Sequence, residues 1–175
     1  MKLRESTTDE NDAVVRLHRD VFAASEGAEE GEVIRELVQN LLNDASAEPR
    51  LSLVAEDNGS LVGSALFTRV TVDDQQGLIL APLAVGSGRQ RGGVGLALMK
   101  EGLGILQDRG TPFVLVLGDP KYYTKAGFAA GHNIKPPYEL PYPEAWMAIE
   151  LQSGALDNIS GTAVCADSLM PREYW

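Results

Sequence analysis

A run of glycines and arginines between residues 86 and 95, reading GSGRQRGGVG, is the stretch of the sequence best suited to bind an anion. The run is too rich in glycine for a regular element, and an amphipathic helix is predicted directly after it. Helix N-termini carry unpaired N–H groups and the positive end of the helix dipole, so phosphates bind there readily. Gly92, Gly93 and Gly95 let an anion approach the backbone, and Arg89 and Arg91 add charged donors. The run therefore predicts a phosphate-binding loop; the alternative is a loop whose glycines serve only to turn the chain.

The distribution of charge favours an anion site in the same region. The whole chain is acidic, with 15 Lys and Arg against 25 Asp and Glu and a net charge of −10. Residues 86–135, which include Arg89, contain seven basic and only three acidic side chains, and such an island attracts small anions. The alternative is a chance cluster of solvated surface charges. The acidic balance disfavours nucleic acid as a partner, because a phosphate backbone requires clustered cations.

Two common phosphate-binding motifs do not fit this loop. A P-loop requires Lys and then Ser or Thr after its last glycine, whereas Gly93 is followed by Val94 and Gly95. A dinucleotide-binding fingerprint requires a third glycine where Arg91 stands. The loop thus belongs to another class of phosphate site.

Other reactive side chains are few and scattered. The single cysteine, Cys165, excludes an internal disulfide or a multi-cysteine zinc site, and no histidine is ordered beside it to activate a nucleophile. No metal-binding motif is present, so no metal is expected. His18 receives no role, and His132 is either a pocket residue or a structural one.

The pattern of apolar residues predicts the elements that position the loop. Strands are predicted over 2–6, 51–57, 61–67, 78–85 and 113–117, with weaker candidates over 128–134, 146–151 and 162–165. Helices are predicted from a Thr7–Glu10 capping box to about Phe22, and over 29–43, 93–109 and 121–126, with a break at 23–28. The strands over 51–57, 61–67 and 78–85 should form an antiparallel meander. Pro82 cannot donate to the strand ladder, so it predicts either an edge position or a bulge that leaves backbone groups free.

Two segments resemble the signatures of the GNAT family of N-acetyltransferases. Gln90-x-x-Gly93-x-Gly95 is similar to the family's Q/R-x-x-G-x-G/A motif, which binds the pyrophosphate of acetyl-CoA. The segment Tyr122–Phe128 is similar to its F/Y-Y-x-K-x-G-F segment. The resemblance covers about residues 2–130 and points to a bacterial subfamily of largely uncharacterised acetyltransferases.

The resemblance implies an α/β (α+β) fold and a role for each matching residue. It implies a central, mostly antiparallel mixed sheet flanked by helices, in one domain over 1–175 whose extension over 131–175 is rich in strands. It places the acetyl-CoA arm along the backbone of one strand and its pyrophosphate on the following loop. The implied cofactor-binding residues are Leu83, Ala84, Val85, Gln90, Arg91, Gly92, Gly93, Val94, Gly95 and Leu96. Tyr123 is implied as the acid that protonates the leaving thiolate, with Tyr122 a core residue, and Asp119 is the best-placed candidate base.

The implied function is transfer of an acetyl group from acetyl-CoA to a small-molecule or peptide amine by direct attack, in a monomer or homodimer. The alternative is a non-catalytic sensor or scaffold that binds acyl-CoA. With no secretory signal and no apolar run long enough to cross a membrane, a cytoplasmic location without a membrane partner is expected.

Two interpretations remain open for several residues. Tyr123 is either the acid or a packed aromatic, and Asp119 is either the base or a helix cap. Carboxylates at Glu26, Glu29 and Glu30 either attract a cationic amine or are simply solvated. Three aromatic residues among the prolines either wall an acceptor pocket or plug a core edge: Tyr138, Tyr142 and Trp146.

Overall fold

Seven strands form one sheet, and the computed structural model describes all residues from 1 to 175. The strands are β1 Lys2–Glu5, β2 Leu51–Asp57, β3 Ser60–Val72, β4 Gln75–Val85, β5 Phe113–Leu117, β6 Trp146–Glu150 and β7 Ala163–Cys165. Their order is β1-β2-β3-β4-β5-β6, and β7 pairs with the C-terminal end of β3. Every pair is antiparallel except β4–β5, which is parallel. The predicted α/β class with a mostly antiparallel sheet is confirmed.

Four helices flank this sheet: α1 Asn11–Glu26, α2 Ala28–Asn43, α3 Val94–Asp108 and α4 Pro120–Tyr123. The predicted break at 23–28 is wrong, because Ala-Ala-Ser-Glu continues α1 and only Gly27, at φ 107°, separates it from α2. No helix combines the length and the apolarity that crossing a membrane requires. The cytoplasmic location stays a prediction.

The helices cover both faces of the sheet and create two cores. The α1/α2 face buries Val14 of α1 against Leu66 of β3 and its neighbours. The α3 face buries Leu98 of α3 with Phe67 of β3. Successive residues of a strand point to opposite faces, so β3 contributes to both cores. Gly102 lets α3 approach closely, since a Cβ there would lie 2.4 Å from the Phe67 ring.

The segment after α4 contains less regular structure than expected. The predicted strand over 128–134 is wrong: only Ala129 forms an isolated antiparallel bridge, with Ala148 of β6. Gly131, at φ 86°, turns the chain away from the extended conformation a strand needs. The two strand candidates further on are confirmed as β6 and β7.

Three polar side chains are fully buried on the α1/α2 face, and none has a hydrogen-bond partner in the protein: His18, Ser64 and Thr68. Ser64 and Thr68 share a face with Leu66, because alternate residues of β3 point the same way. A charged imidazole would lose its hydration here, and burial lowers the pKa of His18 from 6.5 to about 3. His18 is therefore neutral in the folded protein at neutral pH.

Because His18 is buried and neutral, we expect acid to destabilise the protein at pH values well above those at which carboxylates titrate. The unfolded chain binds a proton at His18 below about pH 6.5, whereas the folded chain does not, so the free energy of unfolding decreases as the pH falls from 6.5 toward 3. Urea unfolding at pH 7.0 and 5.0 should show a loss of about 2 kcal/mol from this residue. His18→Leu should remove most of that difference. An undiminished pH dependence in His18→Leu would contradict this account.

Candidate active site

A gap opens in the middle of the sheet where β4 and β5 separate. Their parallel pairing covers three residue pairs and ends at Leu80–Val116, while β4 continues for five more residues to Val85. At the point of separation, Ala81 and Pro82 together oppose the single residue Leu66 of β3. This is a β-bulge, one of the two possibilities that Pro82 predicted.

The backbone of β4 beyond the bulge turns its polar groups into the gap at alternate residues. The Gly86 N–H donates to the Val62 carbonyl at 2.9 Å, which fixes the alternation of hydrogen bonds between β3 and β4. By that alternation the main-chain groups of Leu83 and Val85 face the gap, and those of Ala84 face β3. The Val85 carbonyl accepts a hydrogen bond from Gln90 Nε2 at 3.2 Å. Apart from this side-chain contact, Leu83 and Val85 offer an edge that pairs with no other strand.

The loop after β4 ends in a cup of free backbone N–H groups at the start of α3. Five amides donate to no other protein group, those of Arg91, Gly93, Val94, Gly95 and Leu96. The amide of Gly92 instead donates to the Arg89 carbonyl at 3.3 Å. Left-handed backbone at Arg91 (φ 63°) and Gly93 (φ 82°) curves the loop, as in backbone nests that bind anions.

A cavity of about 320 Å³ lies over this cup. It is lined by Val85, Arg89, Gln90, Arg91, Gly93, Val94, Gly95, Leu96, Tyr122 and Lys125. Arg89 is already paired with Asp57 of β2, whereas Arg91 and Lys125 form no ion pair. These two free cations, together with the amides, make the cavity a site for an anion with more than one charge.

Tyr122 packs on the α3 core, in line with its prediction as a core residue, and it also reaches the cup. Part of its ring packs on the α3 core, but its hydroxyl lies so close to Gly95 that a Cβ there would be 1.9 Å away. Lys125 follows three residues later, so both side chains face the loop from one side of a short helical segment. That three-residue spacing is the signal in the sequence that could have found both residues.

Tyr123 is the last residue of α4, and its side chain lies at the end of β5, beside the gap. Its ring lies on Gly118, where a Cβ would be 2.2 Å from the ring carbon Cε2, and meets the Phe128 ring edge-on at 6.1 Å between centroids. Burial, with a smaller contribution from Tyr122, raises the pKa of Tyr123 to about 12. The phenol is therefore protonated at any ordinary pH. Its hydroxyl forms no hydrogen bond with the protein and is not among the fully buried polar atoms.

Asp119 follows β5 by two residues and caps α4. One carboxylate oxygen accepts a hydrogen bond from the Lys121 N–H at 2.9 Å. The side chain is exposed and forms no ion pair. The structure therefore shows the capping role, and the second carboxylate oxygen stays available.

Most of the other candidates have structural partners. His132 Nδ1 accepts from the Ile134 N–H at 3.2 Å, so Nε2 carries the proton and donates to the Trp146 carbonyl at 3.1 Å. The Trp146 indole donates to the Ile134 carbonyl at 2.9 Å, and the Tyr138 hydroxyl donates to a backbone carbonyl at 2.6 Å. Burial raises the pKa of Cys165 to about 12, which keeps its thiol protonated.

The carboxylates near the α1–α2 junction lie at the protein surface. Glu26 and Glu29 are exposed, Glu30 is partly exposed, and none of them forms an ion pair. No group of three or more His, Cys, Asp or Glu side chains is arranged to hold a metal ion.

The family model "Acetyltransferase (GNAT) domain" matches residues 2–131. The chain belongs to the GNAT acetyltransferase family. Two relatives of this GNAT protein are uncharacterised N-acetyltransferases of Escherichia coli (strain K12). YjhQ is 40% identical over 141 residues, covering 75% of this chain and 77% of the relative. YhbS is 34% identical over 138 residues, covering 75% of this chain and 80% of the relative. These matches confirm the resemblance and the class of acyltransferase.

Solved structures agree with the GNAT fold over nearly the whole chain. The crystal structure of Escherichia coli YhbS in complex with CoA has a TM-score of 0.85 and 26% identity, covering 98% of this chain and 92% of that one. A GNAT acetyltransferase from Brucella melitensis in complex with acetyl-CoA has a TM-score of 0.76 and 24% identity, covering 96% and 97%. The segment 131–175 of this GNAT protein is thus part of the shared architecture.

Proposed function

We propose that this GNAT protein transfers an acetyl group from acetyl-CoA to a primary amine, by direct attack in a complex that holds both substrates. The observation that carries the proposal is the row of five free amides at the start of α3, next to the unpaired edge of β4. A ligand that joins an anionic group to an extended arm with amide bonds would use these two features side by side. The CoA and acetyl-CoA complexes of the similar structures support the same assignment.

The residues present fit such a co-substrate. The five free amides of Arg91 and of residues 93–96 match the oxygens of a diphosphate, and Arg91 and Lys125 neutralise its charge. The glycine at position 95 leaves room that a side chain would fill. Leu83 and Val85 present main-chain donors and acceptors to the amides of a pantetheine arm, in the manner of a strand added to a sheet. Ala84 contributes by packing, since it is buried and its backbone faces β3.

Acetyl-CoA supplies the acyl group: the amine nitrogen bonds to the carbonyl carbon, the carbon–sulfur bond breaks, and the thiolate takes up a proton. We assign a backbone N–H of β4 near Leu83 as the donor to the carbonyl oxygen as negative charge develops there. Tyr123 provides the proton for the sulfur. Its pKa of about 12 makes it a weak acid, but a thiolate enclosed beside the same apolar residues becomes more basic as well. We assign Asp119 as the acceptor of the amine's proton, through the carboxylate oxygen that is free of the cap.

Steady-state release of thiol from acetyl-CoA tests the proposal. The protein should bind acetyl-CoA, and thiol should appear only when a primary amine is added. Tight binding of acetyl-CoA without release across a broad panel of amines would instead establish the alternative, a non-catalytic sensor. Absence of acetyl-CoA binding would contradict both.

Asp119→Asn separates catalysis from capping, because asparagine caps helices as well as aspartate does but cannot accept a proton. We expect kcat to decrease at least tenfold while the Kd for CoA and the thermal stability stay unchanged. The control is Asp119→Ala, which loses the cap and should also lower stability by about 1 kcal/mol. Full activity of Asp119→Asn would leave Asp119 as a cap alone.

A further inference from the structure

A second cavity, of about 490 Å³, lies beside the start of β6. It is lined by Gly131, His132, Pro136, Glu139, Leu140, Pro143 and Trp146. None of α1, α2 and α3 contributes to it, and its walls come from the segment 131–143 and from Trp146 at the start of β6. The exposed ring of Tyr142, with 68% of its surface accessible, is next to Pro143 at its edge.

This cavity lies on the opposite face of the sheet from the cup, close to the gap. Trp146 and Leu140 belong to the α1/α2 core, whereas Tyr122 at the cup packs with the α3 core. Trp146 pairs with Leu117, the last residue of β5, and the Tyr123 ring lies on the glycine that follows Leu117. The cavity wall at Trp146 and the Tyr123 ring are therefore linked through two successive residues, Leu117 and Gly118.

The cavity carries negative charge and apolar surface, with no positive charge. Glu139 is exposed and forms neither an ion pair nor a hydrogen bond with the protein. The two ring nitrogens of His132 are occupied by the Ile134 amide and the Trp146 carbonyl, and burial lowers the pKa of His132, so the ring is neutral. No Lys or Arg is among the lining residues. A free carboxylate against aromatic and proline surfaces is the chemistry that recognises an alkylammonium group.

We infer that this cavity binds a second ammonium group of the acceptor, so that the acceptor is a diamine or polyamine whose other amino group reaches the gap. The inference rests on the proposed function, because it names the class of amine that the same site acetylates. Glu139 neutralises the remote ammonium, and the prolines and Trp146 contact the carbon chain. The nucleophilic amine stays on the side of Tyr123.

Glu139→Gln, compared with Glu144→Gln, tests the inference. Glu144 is an exposed carboxylate five residues later that does not line the cavity, so its variant makes the same change of net charge nearby. The probes are linear α,ω-diamines of four to ten carbons, each with its matched monoamine. In the wild-type protein at least one diamine should show a KM tenfold or more below that of its monoamine. Glu139→Gln should raise this diamine's KM about tenfold and leave the monoamine's KM and the Kd for acetyl-CoA unchanged, while Glu144→Gln should change none of them.

Equal diamine KM values in the two variants would overturn the inference while leaving acetyl transfer intact. Calorimetric titration of the CoA-loaded protein with the same diamines gives a readout independent of turnover. Diamine binding that is lost in Glu139→Gln, without thiol release from any variant, would keep the cavity assignment and reject the transferase. No diamine binding to the wild-type protein at millimolar concentration would overturn the cavity assignment.

Discussion

Gly95→Leu is expected to raise the Kd for CoA at least a hundredfold while the protein stays folded. The added side chain would enter the space between the N-terminus of α3 and the Tyr122 hydroxyl, where even a Cβ is 1.9 Å from an oxygen atom. A ligand displaced from the cup loses several hydrogen bonds between a charged group and amides, each worth about 1.5–3 kcal/mol. Two such bonds suffice for the predicted loss. The measurement is equilibrium titration with CoA, alongside circular dichroism to verify folding.

Gly104→Leu is the matched control for this substitution. Gly104 lies in the same helix and is exposed, and a Cβ added there would meet nothing within 4 Å beyond the backbone of its own helix. Its replacement should leave the Kd unchanged and stabilise α3 by roughly 0.5–1 kcal/mol, because glycine is a poor helix former. Similar CoA affinities in the two variants would show that the cup is not the phosphate site.

Tyr123→Phe is expected to lower kcat by a hundredfold or more and to change the Kd for CoA less than threefold. The substitution keeps the ring that packs on Gly118 and Phe128 and removes only the hydroxyl. General acid catalysis contributes roughly 10²- to 10⁴-fold, and the high pKa of this phenol argues for the lower part of that range. Steady-state thiol release at saturating acetyl-CoA measures the effect.

Tyr122→Phe distinguishes the two adjacent tyrosines. The Tyr122 hydroxyl lies at Gly95, on the side of the cup, so its loss should affect CoA binding modestly and leave kcat within about threefold. The opposite pattern, with kcat lost in Tyr122→Phe and retained in Tyr123→Phe, would identify Tyr122 as the general acid.

The loop and the bulge are predictable because their residues have strong local preferences. Glycine-rich sequence before an amphipathic helix indicates a loop at a helix N-terminus whatever the rest of the chain does. Proline in the middle of a strand likewise excludes regular pairing, and the structure has the bulge at Ala81 and Pro82. The edge that faces the gap is expected from the family resemblance, and the pairing of β3 with β4 shows its alternation.

Other features depend on contacts that no local pattern contains. The predicted end of α1 is too early because a short acidic stretch resembles a loop, whereas its alanines extend the helix to Gly27. The hydroxyl of Tyr122 reaches the cup only because α4 packs beside α3, so its sequence position alone suggests the core. The cavity near Trp146 is built by a segment with few regular elements, where the chain path is set by prolines and by the bonds of His132.

The separation of β4 from β5 has a consequence for the lifetime of the protein. Unpaired backbone N–H and C=O groups along a strand edge favour local unfolding and pairing with strands of other protein molecules. Under the proposed function, the pantetheine arm pairs with this open edge in the manner of a strand. Binding of acetyl-CoA then stabilises the folded protein. Unfolding would then become rarer as the acetyl-CoA concentration rises.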